Sequence, residues 1–352
     1  MDKNTLIGLF LIGAILLTFT VMNNDEEEQK ESSVKDKKEQ VINQTSVSDS
    51  ATLATQIEIE SPVLSDSLII AGIADSLQTD SLYVANYVDS VKLAQENLVV
   101  QTASKQLENE YGIFATAAMS SELKTTVLEN DKIAVTISNK GGQIIDVKLK
   151  EYQSYDDYIA TPDSMSGLHL FDGNKSSFGL ALVNNGIPLS TSGLFFTPQH
   201  SESVVLVEDT NTASIVYRLN TNDPTKYVDF RYSLKKGVYD VGFDIEYVNL
   251  KNIDDIDYSN TQINWKMTAL ATEKLASDER TIATTMFRYF DQKRDYISER
   301  GDDEIELESK TNWVAFKHKF FSSAIISEEG FLKGKVAQKQ LEGEDYTLEY
   351  KT

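Results

Sequence analysis

The sequence predicts an all-β sandwich of unusual size, held behind a single apolar helix. Three observations carry that prediction. From residue 121 onward, apolar and polar residues alternate in short runs separated by Gly- and Asn-rich turns, and helical periodicity is nearly absent. Residues 5–22 hold no charge; as a helix they would rise about 27 Å, close to the roughly 30 Å of bilayer hydrocarbon. Between these two regions lies a polar, acidic stretch that buries too little apolar surface to offset the entropy of ordering it.

The first element is the apolar run, Leu-Ile-Gly-Leu-Phe-Leu-Ile-Gly-Ala-Ile-Leu-Leu through its centre. A cleaved signal peptide is the rival reading, but its apolar region usually spans about 7–15 residues and ends at a small-residue site. Thr18-Phe19-Thr20 is a poor substitute for such a site, and no cysteine is present for a lipoprotein anchor. An uncleaved transmembrane anchor over 5–22 is therefore expected, with residues 1–4 cytoplasmic. Lys3 before the helix and Asp25-Glu26-Glu27-Glu28 after it favour export of the bulk. Lys30, Lys35, Lys37 and Lys38 oppose that orientation, although long domains translocate largely regardless of such charges.

Residues 23–120 read as a low-complexity tether, mostly disordered and partly helical. Asp-Ser-Leu recurs at Asp66-Ser67-Leu68, Asp75-Ser76-Leu77 and Asp80-Ser81-Leu82, but at no fixed period, which argues against a solenoid. Val88, Val91, Leu93, Leu98 and Leu107 among good helix formers predict a helix within 87–119, ending near Gly112.

The third element is the β domain, 121–352. Ile133, Val135 and Ile137 alternate up to Asn139-Lys140-Gly141-Gly142, and Ile145, Val147 and Leu149 alternate after it. Period two on both sides of a glycine pair predicts a hairpin with Gly141 and Gly142 in its turn. Similar runs occupy 178–183, 203–207, 213–219, 227–234, 239–248, 262–269, 284–290, 313–316 and 324–326. About 230 residues is large for one sandwich, which implies extended or doubled sheets.

Composition excludes several functions. Acidic residues number 55 against 33 basic, a net charge of −22, which disfavours nucleic acid and adhesion to anionic lipid. With no cysteine there is no disulfide, thiolate metal site or cysteine nucleophile. His169, His200 and His318 are scattered and lack partner motifs, so structural or surface roles are expected. Asp254-Asp255-Ile256-Asp257 and Asp302-Asp303-Glu304-Ile305-Glu306 lack the glycine and distal glutamate of a calcium loop and read as solvated loops. No cofactor, metal or catalytic residue is assigned, and a small-molecule ligand is not expected.

Several short motifs are familiar in order and spacing. They are Met1-Asp2-Lys3-Asn4-Thr5, Tyr111-Gly112-Ile113-Phe114-Ala115, Leu128-Glu129-Asn130-Asp131-Lys132-Ile133, and Ile137-Ser138-Asn139-Lys140-Gly141-Gly142. Phe171-Asp172-Gly173, Phe178-Gly179-Leu180, Trp313-Val314-Ala315-Phe316-Lys317 and Phe320-Phe321-Ser322-Ser323 continue the series. Through them the chain resembles the YidC membrane protein insertases of Gram-negative bacteria. The resemblance implies an inner-membrane protein, N-terminus inside, with a periplasmic β-supersandwich similar to galactose-mutarotase-like sugar-binding modules. It also implies the Sec translocon and nascent membrane proteins as partners, the lipid bilayer as contact of 5–22, and no enzymatic activity.

No second uncharged run of bilayer length follows Met22, so the sequence reads as the N-terminal portion of such an insertase, lacking the groove. Its own role is then scaffolding or docking. The last residues, Tyr346-Thr347-Leu348-Glu349-Tyr350-Lys351-Thr352, read as a strand in progress whose partner is expected to be missing. Trp313, Phe316, Phe320 and Phe321 form the most distinctive cluster. Spacings of three and four suit a helical face, whereas Val314 with Phe316 suits a strand. Core packing is the plainer reading of the four, and a docking surface the functional one. The alternative functions are a membrane-tethered carbohydrate-binding module and a tethered glycoside-processing enzyme, for which no motif stands out.

Overall fold

The structure, a computed structural model, describes residues 93, 97, 98, 100–119 and 121–352, except 185, 208–211, 251–255, 258–260, 291–292 and 299–300. The expected anchor, the Asp-Ser-Leu copies, and Asp254 and Asp255 lie outside the described residues. Among the described residues, no helix is long and apolar enough to cross a membrane.

Residues 100–111 are helical and run into a 3-10 turn, Gly112–Phe114, then a short α-helix, Ala115–Ala118. The core reaches upstream of residue 121, because Tyr111, Phe114, Ala117 and Ala118 are buried against the first core. Gly112 is what permits this docking. Its φ is +55°, and a Cβ there would meet Asn184 Oδ1 at 1.9 Å, so a larger residue would strain the turn and displace Asn184. Asn184 Oδ1 instead accepts from the Ile113 amide at 3.3 Å.

Nineteen strands follow among the described residues. The domain opens with β1 (Thr125–Glu129), β2 (Ile133–Ser138), β3 (Ile144–Leu149) and β4 (Leu168–His169), then β5 (Ser177–Asn184), β6 (Ile187–Ser190), β7 (Thr197–Pro198) and β8 (Val204–Leu206). A meander of β9 (Thr212–Asn220), β10 (Tyr227–Lys235) and β11 (Val241–Val248) comes next. Then come β12 (Gln262–Leu270), β13 (Thr284–Tyr289), β14 (Arg294–Tyr296) and β15 (Asp303–Leu307). The last four are β16 (Thr311–Lys317), β17 (Ser322–Phe331), β18 (Gly334–Gln340) and β19 (Tyr346–Lys351).

These strands build four sheets. Sheet I has the order β4-β3-β2-β1-β8 and sheet II the order β11-β10-β9-β7. Sheet III is β15-β18-β19-β12-β5-β6, and sheet IV is β14-β13-β16-β17. Two cores result. Leu128, Val135, Ile137, Tyr217, Phe230 and Tyr232 of sheets I and II fill the first, together with Leu180 and Leu182 from β5. Met267, Phe287, Val314, Phe316, Val336 and Tyr350 of sheets III and IV fill the second. Sheet III is shared by both: along one face of β12, Ile263 packs on the first core, while Trp265, Met267 and Ala269 belong to the second. Phe171 packs against both. Sheet dominates and helices are few, so the all-β class stands.

Two expectations are corrected. The terminal strand β19 is not left at an edge: it lies between β18 and β12, and Thr352 exchanges backbone hydrogen bonds with Trp265 at 2.8 Å each way. The acidic run Asp303–Leu307 is strand β15 rather than a solvated loop. Its alternation is hidden by the carboxylates, but Leu307 is buried in the second core. Glu304 and Glu306 are both bridged by Lys335 of β18.

Candidate functional site

The four aromatic residues singled out in the sequence do not form one cluster. They lie on a strand and its following turn, so the helical spacing brings nothing together. Side chains of a strand alternate between faces, and Trp313 and Phe316 point opposite ways. Phe316 is fully buried in the second core, stacked on Tyr350 with ring centroids 4.8 Å apart and against Trp265 at 4.2 Å. Trp313 is half-buried on the outer face. Phe320 and Phe321 sit at the tip of the β16–β17 hairpin, closed by the Phe321 carbonyl accepting from the His318 amide at 2.8 Å.

That tip meets the other half of the domain. Phe321 packs on the first core and contacts the Tyr152 ring edge-to-face at 5.0 Å. Phe320 is left 69% exposed, with Lys319 Nζ 5.6 Å from its ring centre. Tyr152 and Tyr239 are exposed too. Tyr239 donates to Glu151 at 3.0 Å, and Lys132 donates to the same carboxylate at 2.6 Å. The Lys132 hydrogen bond, then that of Tyr239, holds the Glu151 carboxyl below its ordinary range. Lost hydration and the Glu151 carboxylate push the Tyr239 phenol up to about 12. An exposed aromatic rim beside a fixed carboxylate is a contact surface in chemical character.

Sheet IV carries a second exposed face. Strand register sets its outward rows. Arg294, Arg288, Trp313 and Ile326 lie side by side across the four strands, and Tyr296, Met286, Ala315 and Ala324 form the next row. Opposite positions Phe287, Val314 and Ile325 turn into the second core. Sequence reading missed Met286, Arg288, Arg294, Tyr296 and Ile326 as a group. They are distant in sequence and only the register joins them.

Hydrogen bonds or burial set the state of the titratable candidates. His169 Nδ1 is 2.7 Å from Asp146 Oδ1, and that bond raises its pKa above the usual histidine value. His200 is bonded to Thr126 Oγ1 at 2.8 Å, and desolvation lowers its pKa. His318 is buried, and burial pushes its pKa down to about 4. Glu279, also buried, accepts from the Thr272 amide and hydroxyl at 2.8 Å each. Among the described residues, no group of three or more acidic or histidine side chains is placed to hold a metal.

The familiar motifs also have structural reasons. Gly141 and Gly142 turn between β2 and β3 with φ of +78° and +58°, and a Cβ on Gly142 would meet the Phe196 ring at 2.9 Å. Tyr232 donates to the Gly142 carbonyl at 2.6 Å. Asn130 donates to the Lys235 and Val238 carbonyls at 2.6 and 2.8 Å and accepts from the Lys132 and Ile133 amides at 2.8 Å each, tying sheet I to sheet II. Gly173 passes so close to the Ile145 carbonyl that a Cβ would lie 1.9 Å from it.

Fold and surface together define the class: a large all-β sandwich domain with open aromatic surfaces. Residues 125–352 match the family described as the YidC periplasmic domain, and the chain belongs to the YidC family. Relatives named Membrane protein insertase YidC include that of Parabacteroides distasonis, 30% identical over 100% of this chain and 48% of its own length. That of Phocaeicola vulgatus is 26% identical over 99% of the chain and 47% of its own length, and that of Porphyromonas gingivalis is 27% identical over 98% and 47%. The chain thus spans about half the length of the curated relatives it matches. Among solved structures, a galactose mutarotase related enzyme from Lactobacillus acidophilus is 11% identical with a TM-score of 0.36, covering 64% of this chain and 84% of its own. A galactose mutarotase-like protein from Lactobacillus casei is 9% identical with a TM-score of 0.34, covering 64% and 87%.

Proposed function

We propose that these 352 residues act as the anchored, exported part of a bacterial membrane protein insertase. Residues 5–22 hold the chain in the inner membrane with residues 1–4 cytoplasmic, and the β domain stands in the periplasm. There it scaffolds and docks, receiving the Sec translocon and nascent membrane proteins, and it makes or breaks no covalent bond. Lowering the cost of moving a polar flank across a bilayer needs an enclosed, hydrated path at membrane depth. One uncharged helix encloses nothing, so the contribution of these residues is contact.

The observation that carries this reading is the exposed rim at the hairpin tip, where Phe320 is 69% exposed and the next residue, Phe321, packs edge-to-face on the exposed Tyr152. Rings left in water at the junction of two cores support a partner surface, since neither ring's exposure helps the fold. The test is a photoreactive phenylalanine at position 320 in cells carrying the chain. Adducts with Sec subunits or with arrested membrane-protein chains are expected, and they should vanish with Tyr152→Ser/Phe320→Ser in a chain labelled at Tyr239. An absence of adducts from both labelled positions overturns the docking role.

A further inference from the structure

The outer face of sheet IV breaks a rule that strand pairing normally keeps. Arg288 and Arg294 lie directly opposite each other on β13 and β14, both exposed. Like charges facing across neighbouring strands oppose the fold. No carboxylate pairs with either one among the described residues: Asp295 is opposite Phe287, on the other side of the pleat, and Glu328 and Glu329 sit beyond Ile326 on the far edge strand. Lys317, a third cation on this face, has its Nζ on the Ile282 carbonyl at 2.9 Å. An anion over the arginine pair would relieve that repulsion.

The neighbours say what sort of anion. In the same two rows stand Trp313, Ile326 at 65% exposure and Tyr296 at 53%. Indole, phenol and aliphatic groups beside guanidinium are the set that settles at a bilayer's headgroup level. Four strands at about 4.8 Å spacing make an open plane roughly 14 Å across, the shape of a surface rather than of a small-molecule cleft.

We propose that the outer face of sheet IV rests on anionic phospholipid, with Arg288 and Arg294 bonding headgroup phosphates and Trp313, Tyr296 and Ile326 at headgroup depth. This rests on the reading that residues 5–22 anchor the chain, which keeps the face near a bilayer at high effective concentration. A net charge of −22 disfavours anionic lipid for the molecule as a whole. At physiological salt, however, screening acts within about 8 Å, so contact is decided by the face that touches. Repulsion elsewhere selects this orientation over others.

The chain has two tryptophans and no cysteine, which supplies clean reporters. The full chain carrying Trp265→Phe is reconstituted in vesicles of three parts phosphatidylcholine to one part brominated phosphatidylglycerol, and separately in brominated phosphatidylcholine alone. Trp313 emission should be quenched in the first and not in the second. Arg288→Glu with Arg294→Glu should lower the docked fraction by more than about twentyfold, at about fivefold or more per charge, and high salt should act in the same direction. Because Trp265 packs on Phe316, a nitroxide on Ala324→Cys in the otherwise unchanged chain repeats the depth measurement without touching the core. Resistance to carbonate extraction scores the anchor independently, so loss of anchoring and loss of face contact are separable. An anchored chain whose Trp313 and Ala324 positions stay in water overturns the proposal. So does quenching that is equal in both lipids, or shielding of Trp313 that appears only when a protein partner is added.

Discussion

Sheets II and IV are both four-stranded, and each covers one core, yet their outer faces handle charge in opposite ways. On sheet II, Arg218 makes two 2.8 Å bonds to Asp229 on the neighbouring strand and stacks 3.5 Å from the Tyr227 ring centre. Arg231 stands opposite Asp244. Each of these two arginines faces an aspartate, and although Glu246 also stands opposite Asp229, Arg218 lies across from that pair of carboxylates. On sheet IV, cation faces cation, and tryptophan, tyrosine and isoleucine fill the adjoining positions. The difference teaches that the outer face of sheet II supplies partners for its own arginines, while that of sheet IV sets two arginines against each other.

The comparison concerns surfaces, so the cores beneath should behave alike, and that is the largest effect to test. Phe230 and Phe316 are each fully buried, one in either core. Phe230→Ala and Phe316→Ala should each cost about 3–5 kcal/mol in urea denaturation. Since sheet III runs through both cores, either change should lower a single cooperative transition followed by fluorescence and circular dichroism. Two separated transitions would break the picture of halves joined by a common sheet.

Next comes an asymmetry in acid. His318, in the second half, is buried with no hydrogen-bond partner on either ring nitrogen among the described residues. Burial depresses its pKa to about 4 from an ordinary 6.5. Between those values the unfolded chain binds the proton and the folded chain does not. Stability from this group is therefore full above pH 6.5 and falls as pH drops toward 4, by about 3 kcal/mol in all. His169 works in the opposite sense: its raised pKa adds stability at low pH that is lost as pH rises through the folded value. Unfolding free energies at pH 7 and pH 4 for the parent and His318→Leu check the sign, and an unchanged acid loss in the variant would refute the assignment.

A smaller effect tests the self-sufficiency of sheet II. Arg218→Ala leaves Asp229, which is 5% exposed, without the two guanidinium N–H donors that meet its carboxylate. The expected cost is about 1–3 kcal/mol, the usual penalty for stranding a buried acceptor. Restoring half of it with Asp229→Asn in the Arg218→Ala background would show that the loss is the unpaired charge, not the missing Tyr227 stacking.

Much of the fold was legible because period two is a local signal. The alternation around Gly141 and Gly142 locates β2, β3 and their turn, and the longer runs locate β5, β9, β10, β11 and β12. Strands of two or three residues such as β4, β7 and β14 hold too little period to see, and β15 is disguised by its carboxylates. The Tyr111–Ala118 docking was illegible for another reason: its partners Asn184, Phe195 and Asn222 are far along the chain. The sheet IV face is the extreme case. Arg288 and Arg294 look like ordinary surface charges in sequence, and only the hairpin register sets them opposite each other while β16 adds Trp313 alongside.

The smallest predicted effect is the sharpest. If Arg288 faces only Arg294 across the strand pair, removing one cation should help the fold. Arg288→Thr, which keeps a good strand former, should raise stability by a few tenths of a kcal/mol at low ionic strength. High salt should erase the gain, because exposed charges at that spacing are screened. The matched change on sheet II, Arg231→Thr, removes a cation from opposite Asp244 and should have the reverse sign. Thermal unfolding at low and high salt reads both. Opposite signs that converge in salt are what the two faces require, and equal losses would mean that Arg288 is paired in solution. A residue whose removal stabilises the free domain while weakening contact with phosphatidylglycerol is serving the contact at the fold's expense.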